Sequence, residues 1–221
     1  MHIRTILILA LGFGAQGAFA VIGGQESTLF PEVVKLRSGE RVCSGTIIGP
    51  RTIISAAHCA TRENPYFEYM GRRYDVKYLS STDRGHDIAL AVTESNIAGA
   101  IIAKLGRGIK HGTKMLIAGF GCTAKGGKPG GLHVGATKVV GMDDDHILST
   151  SKNGGVLCDG DSGGPAFIHD GREAILVAVN SLSDIRHLNI NVRLDSVLSY
   201  DFLNRMAKVH RLTICGLNGG C

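Results

Sequence analysis

The sequence predicts an all-β fold, a sandwich or barrel of antiparallel strands, with one α-helix near the C-terminus. First, β-branched residues dominate a series of short apolar runs that Gly or Pro residues bound. Second, the 31 glycines supply turn signals about every ten residues. Third, apolar residues recur at helical spacing close to the C-terminus. Residues 21–221 are enough for one large β domain or two small ones.

The runs predicted as strands follow one another quickly along the chain. In order, they are EVVKLRSG (32–39), RVCSGTIIG (41–49), RTIISAAH (51–58), RRYDVKYL (72–79), DIALAV (87–92), TKMLIAG (113–119), HVGATKVVG (133–141) and GPAFIHDGREAILVAV (164–179). The last run is predicted to be a hairpin that turns at Asp170-Gly171. The helix is predicted from the spacing of Val197, Leu198, Phe202, Leu203, Met206 and Val209. If the strands form two barrels, we expect their join near residues 106–114.

Residues 1–20 have the features of a secretory signal peptide. Arg4 gives a positive start, residues 6–13 form an apolar run too short to span a bilayer, and Ala18-Phe19-Ala20 is a small-x-small cleavage site. The alternative is a buried N-terminal helix, which the order of these features disfavours. We therefore expect a secreted protein, extracellular or periplasmic, with no membrane attachment once the leader is removed.

The charge and the cysteines narrow the functional class. The formal net charge is +5, but the basic residues are scattered, which gives no sign of a nucleic-acid groove. All six cysteines follow the leader, and an even number in an exported chain predicts three disulfides. Neither Cys-x-x-Cys nor a His pair at ligand spacing is present, which disfavours a zinc site.

The most informative motif is CDGDSGGP, residues 158–165. Gly160 and Gly163 let the backbone bend around Ser162, so that neighbouring N–H groups can converge on one point. Such donors stabilise the negative oxygen of an acyl-transfer transition state. A serine hydroxyl also needs a base to accept its proton and a carboxylate to orient that base.

The sequence supplies both partners. His58 stands in SAAHC and Asp87 begins the run DIALAV. Taken singly, His58 could be a buried core histidine and Asp87 a turn cap. Taken together and in this order, Ala-Ala-His-Cys, Asp-Ile-Ala-Leu and Gly-Asp-Ser-Gly-Gly-Pro resemble the chymotrypsin/trypsin family of serine proteases. The resemblance covers residues 21–221 and implies two antiparallel six-stranded β-barrels packed together with a C-terminal α-helix.

The resemblance also implies a role for each residue. Ser162 attacks the peptide carbonyl, His58 transfers the proton and Asp87 orients His58. The N–H groups of Gly160 and Ser162 form the oxyanion hole, and Ser181 hydrogen-bonds the aspartate. No metal and no organic cofactor is implied.

The family's mature N-terminal amine folds inward and pairs with the aspartate before the nucleophile. Val21 matches the first mature residue, and Asp161 matches that aspartate. Because Val21 directly follows the predicted cleavage site, we expect signal peptidase itself to create the activating N-terminus. The alternative is a second protease that exposes Val21 later.

The resemblance also implies one disulfide, because Cys43 and Cys59 match a bridge of the family. The family's usual partner for the Cys158 position is absent, so we expect Cys158 to pair with Cys122 beside the oxyanion turn and Cys215 to pair with Cys221, although six cysteines allow fifteen pairings and only the first pair rests on the family. Other positions depart from the family. The family's Gly-Trp-Gly has Phe120 at the tryptophan position, and its Ser-Trp-Gly becomes Ser181-Leu182-Ser183. Leu182 can still pair with the substrate backbone through its main chain.

The pocket positions predict the cleavage preference. Val156 lies at the position of the pocket base, where trypsin-like members have an aspartate, and Ser183 and Asn189 align with the walls. We therefore expect cleavage after small or medium apolar residues rather than Lys or Arg. If the alignment is shifted by one residue, Asp159 or Asp184 would instead supply a negative charge to the pocket.

The leading hypothesis is thus an exported serine endopeptidase that works through an acyl-enzyme. Its expected partners are protein or peptide substrates, and it is expected to be a monomer. The alternative is a non-catalytic binding protein on the same fold, which the altered pocket and substrate strand keep open. An α/β-hydrolase is disfavoured, because its order of Ser before Asp before His is absent.

Overall fold

The chain is organised as two β-sheets and one C-terminal helix. The structure is a computed structural model that describes residues 21–60, 63–80, 86–151, 155–169, 171 and 173–221. The strands of the first half are β1 (Gln25–Glu26), β2 (Val33–Ser38), β3 (Arg41–Gly49), β4 (Thr52–Ser55), β5 (Tyr66–Tyr69), β6 (Arg72–Asp75), β7 (Lys77–Ser80) and β8 (Ala89–Val92). Those of the second half are β9 (Lys104–Leu105), β10 (Lys114–Gly119), β11 (His133–Met142), β12 (His146–Thr150), β13 (Pro165–His169), β14 (Ala174–Ser183) and β15 (Leu188–Arg193).

The first sheet has seven strands in the order β6-β5-β2-β3-β4-β8-β7. Its two edge strands, β6 and β7, are consecutive in the chain, with only Val76 between them. The sheet is a half-barrel: the chain joins its two edge strands at Val76, but no hydrogen-bonded pairing among the described strands closes it. The run RRYDVKYL was predicted as one strand and is two, each paired with a different neighbour.

The second sheet contains a closed six-stranded barrel. Strands β11, β10, β13, β14, β15 and β12 follow one another, and β12 pairs back with β11. Strand β1 adds to β11, and β9 pairs in parallel with β14. The expected all-β architecture is confirmed. Hydrogen bonds close the barrel of the second sheet, whereas the first sheet is a half-barrel whose two edge strands are linked only by the chain at Val76. Strands β12 and β15 were absent from the sequence prediction, because polar and apolar residues mix in both.

The chain crosses between the sheets after β8. That strand ends at Val92 in the first sheet, and Lys104–Leu105 already pairs with the second. The segment 106–114, predicted as the join, follows directly. The hairpin predicted within residues 164–179 corresponds to β13 and β14, and Asp170 of its turn lies outside the described residues.

Helix α1 (Val197–His210) closes the fold. The Ser196 side chain accepts a hydrogen bond from the N–H of Ser199 and caps the first turn, and left-handed Arg211 ends the helix. Phe202 and Leu203 are buried in an apolar cluster to which both sheets contribute. Val197 and Val209, by contrast, are exposed.

Three disulfides join Cys43 to Cys59, Cys122 to Cys158 and Cys215 to Cys221. All three are the expected pairs, of which only Cys43–Cys59 matches a bridge of the family. None of the helices in the described part of the chain has the length and apolar character that crossing a membrane requires. The predicted signal peptide, residues 1–20, lies outside the described residues.

Candidate active site

His58 and Asp87 are brought together by the first sheet. His58 lies in a short 3₁₀ turn, Ala57–Cys59, directly after β4, and Asp87 lies two residues before β8. Because β4 and β8 pair along their length, these two sites meet at the same end of the sheet. The Cys43–Cys59 disulfide ties the histidine turn to β3, and Arg41 donates a hydrogen bond to the carbonyl oxygen of His58 at 3.0 Å.

The Asp87 carboxylate accepts hydrogen bonds on both oxygens. Nδ1 of His58 lies 2.8 Å from Oδ2, the His58 backbone N–H donates to Oδ1 at 2.9 Å, and the Ser181 hydroxyl donates to Oδ2 at 2.5 Å. Burial would raise the pKa of Asp87, but the hydrogen bonds from His58 and Ser181 outweigh it and hold that pKa at about 2. The carboxylate is thus ionised and can only accept. It therefore selects the His58 tautomer that keeps the Nε2 lone pair free.

Ser162 lies on a tight turn of the second sheet, just before β13. Gly160 and Gly163 have φ angles of 101° and 83°, the left-handed region that glycine adopts without strain. A Cβ atom on Gly163 would collide with the carbonyl oxygen of Ser44 and lie 2.9 Å from the backbone nitrogen of Ala56. The turn thus needs glycine, because it packs directly against the backbone of the first sheet.

The N–H groups of Gly160 and Ser162 have no acceptor among the described residues. They are therefore available to an incoming oxygen. The Ser162 hydroxyl donates to the carbonyl oxygen of Ser181 at 3.4 Å, and within the described residues no hydrogen bond joins it to His58. Contacts of this kind are often loose without substrate and close when it binds.

Ser44 was not identified from the sequence, although it links the two sheets at this turn. Its N–H donates to the Ser162 carbonyl oxygen at 2.8 Å, and its hydroxyl donates to the Gly160 carbonyl oxygen at 2.8 Å. The same hydroxyl accepts from the N–H of Phe120 at 2.9 Å. Ser44 is fully buried. Because its partners lie more than 70 residues away, no local pattern could have revealed the role.

Asp161 lies fully buried behind the turn. Its carboxylate accepts from the N–H of Gly121 at 2.8 Å and of Cys158 at 2.9 Å, and also from the N–H of Val21. Burial raises the pKa of Asp161 to about 7, against the lowering effect of these hydrogen bonds. Val21 is itself fully buried, so the predicted mature N-terminus and Asp161 do lie together.

A small cavity of about 100 Å³ opens beside Ser162. It is lined by Leu157, Cys158, Asp159, Ser162, Ser181, Leu182, Ser183 and Ile185. Ser181, Leu182 and Ser183 therefore line it as predicted, and Asp159 joins them. Asp184 does not: its carboxylate accepts from the N–H groups of residues 186–188.

Val156 and Asn189, predicted for the base and wall of this pocket, do not line the cavity. Asn189 is fully buried, and its amide accepts from the N–H of Leu157 at 2.8 Å and donates to the carbonyl oxygen of Gly155 at 2.8 Å. Val156 is buried and bridges to Ile22. The Asn189 amide is therefore tied to the backbone on either side of Val156, and through Leu157 it adjoins the cavity lining.

A larger cleft of about 610 Å³ lies on the other side of His58. Its walls include Leu148, Leu182 and Ile190, with Asp143 and His146 also lining it. Nδ1 of His146 lies 3.2 Å from the Asp143 carboxylate. Among the described residues, no group of three or more His, Cys, Asp or Glu side chains could hold a metal ion.

Comparisons with known proteins show which proteins this chain resembles. The family model described as Trypsin matches residues 21–196. The chain is 29% identical over 229 residues to "Trypsin, alkaline B" of Manduca sexta, covering 80% of this chain and 88% of that protein. It is 24% identical over 187 residues to a trypsin of Saccharopolyspora erythraea, covering 68% and 82%. Human heparin binding protein superposes with a TM-score of 0.71 at 17% identity, over 85% of this chain and 97% of that one, which shows a shared fold alone.

Proposed function

Because the chain belongs to the trypsin family of serine endopeptidases, we propose that Ser162, His58 and Asp87 are its catalytic triad. The observation that carries this assignment is the Asp87 carboxylate, which holds Nδ1 of His58 at 2.8 Å and so leaves Nε2 as the base. Ser162 reaches that base by turning away from the Ser181 carbonyl oxygen. Protein or peptide substrates are implied by the family.

The proposed reaction has two halves. The Ser162 oxygen bonds to the peptide carbonyl carbon while His58 takes its proton, and the C–N bond then breaks as His58 gives that proton to the leaving amine. In the second half, water attacks the acyl carbon while His58 takes its proton, and the ester bond then breaks as His58 returns that proton to the Ser162 oxygen. The unpaired N–H groups of Gly160 and Ser162 support a role as the oxyanion hole in both halves.

We further propose that the active chain begins at Val21 after export. Its N–H already contacts the Asp161 carboxylate, so cleavage before Val21 creates an ammonium group beside a buried carboxylate. A buried carboxylate without a cation is costly, which favours insertion of the new N-terminus.

The preferred residue before the scissile bond is proposed to be small or medium and apolar. The cavity beside Ser162 is only about 100 Å³, and Asn189 is bound by hydrogen bonds to the backbone of Gly155 and of Leu157, which lines the cavity. A panel of peptides that differ only at this position tests the proposal. Fastest cleavage after Ala or Val supports it, and fastest cleavage after Lys or Arg contradicts it.

The decisive experiment is labelling with a fluorophosphonate on protein secreted from its own leader, with Ser162→Ala as the control. The proposal expects a single adduct on Ser162 of a chain that starts at Val21, read by intact and peptide mass. No adduct on a folded chain that starts at Val21 would favour the non-catalytic binding protein instead. An adduct that forms only after further trimming would show that a second protease is needed.

A further inference from the structure

The Cys122–Cys158 disulfide joins the two chain segments that hold the Asp161 carboxylate. Cys158 donates its own N–H to that carboxylate, and Gly121, the neighbour of Cys122, donates the second. Both sulfur-bearing residues are buried, at 1% and 6% exposure. The covalent bond thus spans the pair of donors that bind Asp161 from within the second sheet.

Other contacts bind the same two segments side by side. The N–H of Cys122 donates to the carbonyl oxygen of Asp159 at 2.9 Å. Gly160 packs so closely on Gly121 that a Cβ atom on Gly160 would lie 2.8 Å from the Gly121 Cα. The oxyanion turn, residues 158–163, therefore rests on residues 120–122, and the disulfide keeps that support in place.

We propose that the Cys122–Cys158 disulfide is a positioning device for the oxyanion turn, which makes the turn partly independent of the Val21 ammonium. The carboxylate of Asp161 has three backbone donors, and only one comes from Val21. With the disulfide present, the other two remain in register whatever the state of the N-terminus. This inference rests on the proposed function, because it assumes that Gly160 and Ser162 bind the oxyanion.

The chain offers a matched control in its tail. The Cys215–Cys221 disulfide closes a segment with a sequence separation of only 6, far along the chain from the turn, whereas Cys122–Cys158 spans 36. Removing either bond with paired alanines tests loss of a crosslink. Only the bond at Asp161 is expected to change how much the enzyme depends on its N-terminal amine.

The test is a two-by-two comparison. Wild type and Cys122→Ala/Cys158→Ala are each prepared as chains that start at Val21 and at Ala20, since one extra residue moves the ammonium out of register with Asp161. The rate of fluorophosphonate labelling and the kcat and KM of a peptide substrate are measured well below each thermal midpoint. Cys215→Ala/Cys221→Ala is measured in both forms as the control.

In each protein, the slowing is the labelling rate of the chain that starts at Val21 divided by that of the chain that starts at Ala20. We expect this slowing to be about 10 to 100 times larger in the Cys122→Ala/Cys158→Ala protein than in wild type or in the tail control. A coupling of this size is found between groups in contact. The loss should fall on kcat, with KM nearly unchanged. An equal factor in all three proteins would overturn the proposal, since the bond would then support only stability. If the double-alanine protein does not fold, Cys122→Val/Cys158→Ala is measured instead, because valine refills the buried space that the lost sulfur atoms leave. A wild-type chain that starts at Val21 and does not label would refute the triad itself, which is a separate failure.

Discussion

In the proposed active site, the half that holds the base and the half that holds the nucleophile are fixed by different kinds of contact. His58 and Asp87 lie on the first sheet near solvent, with 43% and 18% of their side chains exposed, and they are fixed by side-chain hydrogen bonds to each other and to Ser181. The Ser162 turn on the second sheet is fixed by buried backbone groups, a buried carboxylate and a disulfide. The base half therefore depends on which side chains are present, and the nucleophile half depends on where its backbone N–H groups lie.

The largest effect is expected from Asp87→Asn in the base half. The amide cannot serve as the same acceptor for Nδ1, so His58 adopts the wrong tautomer for catalysis, and kcat should fall by about 10⁴-fold. The measurement is kcat on a peptide substrate, with the exposed Asp75→Asn as control. A fall of less than tenfold would contradict the assignment of Asp87.

The next largest effect concerns folding stability, whose dependence on pH differs between Asp161 in the nucleophile half and Asp87 in the base half. Burial raises the pKa of Asp161 to about 7 in a chain whose Val21 nitrogen is still an amide. The contribution of Asp161 to the free energy of unfolding is therefore fully present below about pH 4 and is lost as pH rises through 7. A shift of this size corresponds to about 4 kcal/mol. Once the amine is free, its positive charge offsets this loss.

Urea unfolding of chains that start at Ala20 and at Val21 checks this prediction at pH 5 and pH 8. The free energy of unfolding of the longer chain should drop relative to the shorter one as pH rises. Asp87 behaves oppositely, because its pKa is held at about 2, so its contribution is lost only as pH falls from about 4 to 2. If the difference in free energy of unfolding between the two chains stays constant with pH, Asp161 is excluded as the cause of that difference.

Ser44→Ala breaks the contact between the halves. It leaves the Gly160 carbonyl oxygen and the Phe120 N–H without their buried partner, and each such group costs about 1–3 kcal/mol. We expect kcat to fall about tenfold with KM unchanged, because the oxyanion turn shifts while the pocket stays.

The control for Ser44 is Ser55→Ala, another fully buried serine, whose hydroxyl donates to the Ser44 carbonyl oxygen at 2.8 Å. It should lose similar stability and retain most of its kcat. Equal losses of kcat in the two variants would mean that Ser44 only stabilises the fold.

The contrast also explains how much could be predicted from the sequence. His58, Asp87 and Ser162 each stand in a short local motif, and the β-branched residues of the run 133–141 predict the strand that the structure shows as β11. Ser44 and Asn189 act through partners that are distant in sequence, and no local pattern reports such contacts. The alignment places Asn189 at a pocket wall, but it could not show that the amide is bound to the backbone of Leu157 and Gly155.

Asn189→Gly is expected to give the smallest change in rate and the clearest change in selectivity. We expect loss of the amide to open the floor of the cavity beside Ser162, because Asn189 is bound to the backbone of Leu157, which lines that cavity. The Leu157 N–H and the Gly155 carbonyl oxygen lose their partner, which water can replace in the space created. The ratio of kcat/KM for peptides with Phe and with Ala before the scissile bond should rise about tenfold, since extra methylene contacts in a pocket are worth about 1–3 kcal/mol. The matched control is Asn204→Gly, whose amide donates only within α1 and lies away from the pocket. An unchanged ratio in a folded Asn189→Gly protein would show that the pocket is limited by its entrance at Leu182 and Ser183, and not by its floor.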